Sequence, residues 1–317
     1  HKPKNKKDDS KKFLLYSLAS GILANSLFAT ALSEKELNEY KNMEIFNNKE
    51  VVLIGGEKIS NEFAMIKGYV VTHNELNPYG PINIVTNKEI IIPNADVFNS
   101  KSKQLLSVDV DYSKFEKNAA FKFGNGKEKL MLFTEAECPA CKQSHPYLEQ
   151  LKDKYTVYVY MFPLNSLHLA AKDIALATLQ QPVEKREEFY NKMISNQDIT
   201  SVLPELENYG VEVYKNIKQR IDKFESPRDQ QITQRYVESI KRAYNVDFKS
   251  KQELVDFCDA KIKKFNDKFG TKKAYKDAVE QFKQNEFLAL AYLGVDGTPN
   301  FFYYNGQKTD LAQLLGR

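Results

Sequence analysis

Two cysteines set two residues apart, in Cys138-Pro139-Ala140-Cys141, are the side chains whose types and spacing most directly permit chemistry in this chain. Thiols at that spacing can ligate zinc, anchor haem, form a structural bridge or exchange disulfides. A structural zinc site wants a second pair of soft ligands. Only Cys258 remains, and the four histidines are scattered, so no metal site is expected. Covalent haem needs His directly after the second cysteine, where Lys142 stands. A bridge closing so short a loop would constrain the unfolded chain little. Redox exchange explains the position better. The apolar run Lys129–Thr134 reads as a strand, and a helix follows the motif to about Tyr155. Cys138 then lies at a helix N-terminus, where unpaired amides and the helix dipole favour the thiolate, the attacking species. Pro139 suits the first turn because its missing N–H costs nothing there. Cys141, one turn on, lies on the same side and can resolve a mixed disulfide.

Around the pair stand Glu135, Glu137 and His145. Glu137 reads as a solvated loop carboxylate or a proton shuttle. His145, one turn beyond Cys141, reads as a surface histidine or as a group that holds a thiolate or substrate. His73 and His168 carry no motif. Cys258 reads as a buried hydrophobe, with interchain pairing as the alternative. Pro146 kinks the helix after the motif.

These residues need elements to place them. Ala120–Phe123 reads as a strand, Gly124-Asn125-Gly126 as a tight hairpin, and Thr156–Phe162 as a further strand. Residues 164–292 are rich in Lys, Glu, Gln and Ala with apolar residues at helical spacing, as in Ile262, Phe265 and Phe269, and are expected to hold five or more helices. The chain returns to β at Asn300–Tyr304, turns at Asn305-Gly306 and closes with a helix over Thr309–Leu315. Upstream, residues 34–96 form a small β-rich domain: a helix at Glu34–Asn42, then short strands at Val51–Ile54, Phe63–Val71, Ile82–Val85 and Glu89–Ile92. Gly55-Gly56 and Asn77–Pro81 read as turns between them. A domain so small gains from a partner subunit. Residues 97–118 are polar and contain a linker helix over Asp109–Asn118.

The 317 residues suffice for two domains, and 42% hydrophobic with 28% charged residues is an ordinary globular balance. The net charge of +4 is matched by the lysines among the first twelve residues, so a nucleic-acid surface is not indicated. Phe13–Ala29 is apolar, follows Lys11 and Lys12, and leads into Ala29-Thr30-Ala31. Together these read as a secretory signal over residues 1–31, with an uncleaved membrane anchor as the alternative.

Phe133-Thr134-Glu135-Ala136-Glu137-Cys138-Pro139-Ala140-Cys141, the kink at Pro146, Phe162-Pro163 and Gly297-Thr298-Pro299 resemble the periplasmic disulfide isomerase family of DsbC and DsbG. Residues 51–96, with Lys67-Gly68-Tyr69, are similar to that family's N-terminal dimerisation domain. The resemblance covers about residues 40–163 and 290–315. It implies an α/β thioredoxin-like catalytic domain over 119–317 with a large helical insertion, behind a small β-rich dimerisation domain. It further implies a homodimer in the periplasm, misfolded exported proteins as substrates, a membrane redox partner of DsbD or DsbB type, and no cofactor beyond the Cys138–Cys141 disulfide. Thr298 and Pro299, joined by a cis peptide against the disulfide, would offer a backbone edge to substrate. Ala140 stands where the family has an aromatic residue, and the insertion is larger than is typical. Isomerase with reductase activity, dithiol oxidase, and a chaperone-like binding protein with an incidental CxxC are the functions that follow.

Overall fold

The structure is a computed structural model and describes residues 30–74, 78–196, 198–221, 223 and 226–316. The export signal falls on residues 1–31, and all but the last two of these lie outside the described residues, as does Asn77 of the expected turn. Among the described residues no helix is long and apolar enough to cross a membrane.

The first compact unit runs to Tyr112 and takes in Leu290–Gly294 and Asn305–Gln307. Its helix α1 (Glu34–Lys41) starts at a capping box, in which Ser33 accepts the Glu36 amide and the Glu36 carboxylate accepts the Ser33 amide. An antiparallel sheet follows in the order β1 (Thr30–Ala31), β2 (Glu50–Lys58), β3 (Ala64–Val71), β4 (Tyr79–Thr86) and β5 (Ile91–Pro93). Tyr40, Met43 and Phe46 pack on Val51, Ile66, Ile82 and Ile84 to form its core.

Three expectations in this unit are corrected. Gly55-Gly56 is not a turn but lies inside β2, at a bulge where the register shifts between Leu53 and Gly55. Glycine is needed there because a Cβ on Gly56 would stand 2.7 Å from the Leu32 side chain. The last strand starts at Ile91 and not at Glu89, because the Asn87 side chain captures the amides of Glu89 and Ile90. The linker helix over Asp109–Asn118 is absent. Residues 97–106 form instead a short ribbon of β6 (Val97–Phe98) and β7 (Leu105–Leu106), and only Ser113–Asn118 coils, as a 3-10 turn. Asn99 Oδ1 holds the ribbon's turn by accepting the amides of Lys101 and Ser102.

The second unit spans Ser113–Ala289, Val295–Tyr304 and Lys308–Arg317. Its sheet is ordered β12 (Lys308–Thr309), β11 (Asn300–Tyr303), β9 (Glu128–Thr134), β10 (Tyr155–Met161) and β8 (Phe121–Phe123). β9 and β10 are parallel, and the two outer pairings to them, β11 on β9 and β8 on β10, are antiparallel. Both faces of the parallel pair are covered, as its unbroken apolar runs demand. Leu130, Leu132, Val157 and Val159 join one core. On the other face the Phe133 ring stacks on Tyr160 at 5.2 Å and meets Phe302 edge-on at 5.9 Å. Gly124-Asn125-Gly126 does not join β8 to β9 as a hairpin, because β10 lies between them. The loop passes instead beneath the start of β10, where Thr156 Oγ1 donates to the Gly126 carbonyl at 2.8 Å. A Cβ on Gly126 would stand 1.9 Å from the Lys154 backbone.

After the CxxC the α-helix is short. α2 covers Pro139–Ser144, and His145–Leu151 continues as a 3-10 helix. Pro146 is the cause, since it lacks the N–H an α-turn needs and crowds the turn before it. The insertion holds α3 (Ala171–Gln180), α4 (Arg186–Ile194), α5 (Leu203–Leu206), α6 (Glu212–Ile221), α7 (Pro227–Tyr244), α8 (Lys251–Lys268) and α9 (Lys273–Phe287). α3 and α4 pack on the sheet through Ile174, Leu176, Tyr190 and Met193. α6, α7 and α8 build a second core around Ile217, Tyr236, Ile240, Cys258 and Phe265. The closing helix α10 covers only Leu311–Leu314, capped by Asp310, because Lys308–Thr309 is used as strand β12.

Asp173 fastens the insertion to itself. Its buried carboxylate accepts the amides of Glu212 and Val213, each at 2.7 Å, at the start of α6. Asp173→Ala would leave both amides without that partner in a dry site, and is expected to cost roughly 2–4 kcal/mol of stability by urea unfolding. Asp173→Asn, which keeps one acceptor, should recover part of the loss. A change under roughly 0.5 kcal/mol for the alanine variant would show that this cap does not anchor α6.

Candidate active site

β9 ends at Thr134, and the four-residue connection Glu135–Cys138 delivers the motif to α2. Cys138 is the N-cap of that helix, and its Sγ accepts the Cys141 amide at 3.3 Å. As a thiol it donates to the Thr298 carbonyl, also at 3.3 Å. The Thr298–Pro299 peptide is cis. Interaction with the Cys141 thiol, then with Thr298 and the Cys141 and Ala140 amides, outweighs burial and holds the Cys138 pKa down at about 5. Cys141 is driven the other way, first by burial and then by Cys138, so it remains a thiol at neutral pH. An attacking thiolate at a helix N-terminus is expected to be accessible to solvent, but Cys138 is 5% exposed against 1% for Cys141, because the Thr298 carbonyl lies across its sulfur. A substrate must displace that contact.

The flanking carboxylates are not solvated. Glu135 is buried; its Oε1 pairs with His168 Nδ1, and its Oε2 accepts the Leu164 amide at 3.2 Å. Glu137 accepts the Ala170 amide at 3.0 Å and the Tyr236 hydroxyl at 2.6 Å. Desolvation raises the pKa of both acids, and the Cys138 charge acts on Glu135 in the same direction. His168 is raised despite its burial because Glu135 pairs with it. A carboxylate–imidazole pair that can hold or pass a proton therefore sits within electrostatic reach of the thiols.

His145 is carried to the other side. Its ring meets Tyr190 at 6.1 Å, its Nδ1 is buried with no partner among the described residues, and burial lowers its pKa. The Tyr190 hydroxyl bonds Thr134 Oγ1 at 2.8 Å, so it is Tyr190 that approaches the Cys141 end of the site. The structure thus brings together Cys138, Cys141, Thr298, Pro299 and Glu137 of the expected residues, and leaves His145 aside. Glu135, His168 and Tyr236 were missed as partners. His168 lies 33 positions beyond Glu135 and Tyr236 lies 99 beyond Glu137, and no local spacing marks either pair. Cys258 is fully buried in the insertion's second core, which raises its pKa to about 12 and keeps it unreactive. Among the described residues no group of three or more His, Cys, Asp or Glu side chains is placed to hold a metal ion.

With this geometry in place, the chain can be set beside known proteins. A model of the thioredoxin-like domain matches residues 119–204. Residues 119–204 are a thioredoxin-like domain. Three solved structures are similar to the chain. The thiol-disulfide exchange protein alpha-DsbA2 of Wolbachia pipientis is 17% identical, covers 64% of this chain and 90% of its own, and has a TM-score of 0.32. The catalytic domain of Proteus mirabilis ScsC is 15% identical, over 63% and 91%, with a TM-score of 0.30. Helicobacter pylori DsbG is 14% identical, over 66% and 94%, with a TM-score of 0.22. No curated protein matches the chain.

The pairing of Glu135 with His168 is open to test. The His168 imidazole should titrate above the usual histidine value in an NMR pH series, and Glu135→Gln should lower its pKa. By linkage, a raised histidine pKa contributes stability at acid pH that is lost as pH rises through the folded value. The variant should therefore lose more stability below neutrality than above it. An unchanged imidazole titration would separate the two groups.

Proposed function

We propose that this protein is a thiol–disulfide oxidoreductase acting on exported proteins in the periplasm. The observation that carries the reading is a cysteine at a helix N-cap whose sulfur meets a helix amide on one side and the Thr298 carbonyl on the other. The Cys138 thiolate attacks one sulfur of a substrate disulfide. A bond forms between Cys138 and that sulfur, the substrate S–S bond breaks, and the other substrate sulfur leaves as a thiolate and takes a proton. Cys141 then loses its proton, attacks Cys138 Sγ and releases the substrate. Two electrons pass to the substrate, and Cys138–Cys141 remains as a disulfide. When the freed substrate thiolate instead attacks a second substrate disulfide, and the thiolate displaced there attacks the substrate sulfur bonded to Cys138, a new substrate disulfide forms and Cys138 leaves as a thiolate with no net electron transfer, which is isomerisation.

Substrate chain is held along Thr298 and Pro299. The Asn300 side-chain oxygen is buried and, among the described residues, has no partner, which leaves an acceptor for an extended segment. The first unit serves as a dimerisation module of the DsbC and DsbG kind, and a membrane protein of DsbD type keeps the pair reduced. A second direction is supported by one observation. A thiolate pKa of about 5 makes Cys138 a good leaving group, which favours donating the disulfide to substrates, with a DsbB-type partner restoring it. Refolding of scrambled ribonuclease by the reduced form, set against oxidation of a reduced peptide by the disulfide form, separates the directions. Failure of both reactions would reject the proposal.

A further inference from the structure

A cavity of about 250 Å³ opens directly beside the motif, with Ala136, Glu137 and Pro139 on one wall and the helical insertion on the other. Pockets for whole small-molecule ligands run to roughly 300–1,000 Å³, so this volume suits a side chain or a short peptide turn. Its apolar lining comes from Ile174, Met193, Ile199 and Val202. Its charged lining is Lys142, Arg235 and Arg242 against Glu137 and Asp198, with His168 at one edge.

The negative groups are already engaged. Both oxygens of Glu137 hold donors, the Ala170 amide and the Tyr236 hydroxyl. Asp198 Oδ1 accepts the Thr200 amide at 2.9 Å and stands 3.8 Å from Arg242 Nη2. The positive groups are not balanced in the same way. Lys142 Nζ donates to the Asn196 carbonyl at 2.7 Å and, among the described residues, meets no carboxylate. The Arg235 guanidinium lies 5.1 Å from the Tyr236 ring centroid, and among the described residues it too meets no carboxylate. The cavity therefore presents two cations beside apolar side chains, and two of its lining residues, Glu137 and Pro139, flank Cys138 in sequence.

We infer that this cavity is a substrate subsite for an acidic residue flanking the cysteine under attack, so that the protein selects among disulfides by the charge of the chain around them. The inference rests on the thiol–disulfide reading and names the substrate class for it. A chain joined to Cys138 and running past Pro139 enters the cavity, where its carboxylate meets Lys142 and Arg235 while neighbouring apolar atoms cover Ile174 and Val202. Charge on an exposed wall acts mainly on encounter and orientation, so the preference should weaken as salt rises.

The test uses three peptides that differ only in a Glu, Gln or Lys two residues from a cysteine carried as a mixed disulfide with 5-thio-2-nitrobenzoate. Release of the coloured thiol by the reduced full-length protein is followed at low salt, for the wild type and for a Lys142→Gln/Arg235→Gln variant. The wild type should favour the Glu peptide over the Lys peptide by about tenfold, as two exposed charges allow. The variant should lose most of that ratio while keeping its rate on the Gln peptide, which also shows it is folded. Equal rates on all three peptides in the wild type, or a ratio unchanged in the variant, would overturn the subsite but leave the exchange activity standing. No release from any peptide would overturn the activity itself.

Discussion

Cys138→Ser should abolish insulin reduction, with a loss of at least roughly a thousandfold, because a serine hydroxyl is no nucleophile at neutral pH without an activating base. Cys141→Ser should behave differently. The attack by Cys138 remains possible, so the enzyme should accumulate as covalent mixed disulfides that run as higher bands on non-reducing gels and collapse on adding dithiothreitol. The two outcomes follow from position. Cys138 receives the Cys141 amide at the start of α2 and is held at a pKa of about 5, while Cys141 is the more buried thiol and is pushed upward. Mixed disulfides in Cys138→Ser, with none in Cys141→Ser, would exchange the two roles.

The second large effect is on stability. The Cys138 pKa is depressed in the folded, reduced protein, from an ordinary value of 9.0 to about 5. A depressed acid pKa contributes stability that is fully present above the unfolded value and is lost as pH falls through the folded one. Allowing for partial solvent screening of the sulfur, the contribution at pH 7 is on the order of 1–2 kcal/mol, and at pH 4 it has nearly vanished. Cys141 is a neutral thiol in folded and unfolded chains alike below pH 8, so it does not offset this. The disulfide form has no thiolate and lacks the contribution. The stability of the reduced form relative to the oxidised form, read from urea unfolding of each, should therefore rise by on the order of 1–2 kcal/mol between pH 4 and pH 7. A stabilised dithiol is a stronger oxidant, by about 30 mV for each 1.4 kcal/mol. A reduced-minus-oxidised difference that does not move with pH would mean that Cys138 is not held as a thiolate.

What the sequence disclosed about this site was local. The apolar run through β9, the turn into a helix and the placement of Cys138 at its first residue are all written within fifteen positions, and each follows from near-neighbour physics. The insertion was legible for the same reason: Phe265 faces inward on α8, with Ile262 and Phe269 beside it, at the spacing that marked the helix. Where the reading failed, a distant element decided. Gly124-Asn125-Gly126 has the composition of a hairpin turn, but β10 takes the place beside β8, and the glycines are there to clear its backbone. Gly55-Gly56 has the composition of a turn, and serves instead to let Leu32 pack over a bulged strand. Glu137 reads as a solvated loop carboxylate because neither it nor Glu135 has its partner nearby in sequence. Their partners, His168 and Tyr236, arrive only once the insertion folds back on the motif. His145 shows the converse: one turn from Cys141 in sequence, it is carried to Tyr190 once Pro146 breaks the α-helix.

The central claim is that Cys138 is a nucleophilic thiolate at neutral pH. The most direct measurement is the rate of iodoacetamide alkylation of the reduced protein from pH 3 to pH 10, with the modified residue located by mass spectrometry. The account predicts that Cys138 is labelled before Cys141 and Cys258, and that its rate rises with a midpoint near pH 5 and is level through neutrality. A rate that climbs instead through pH 9, as for an ordinary thiol, or first labelling at Cys141, would contradict it.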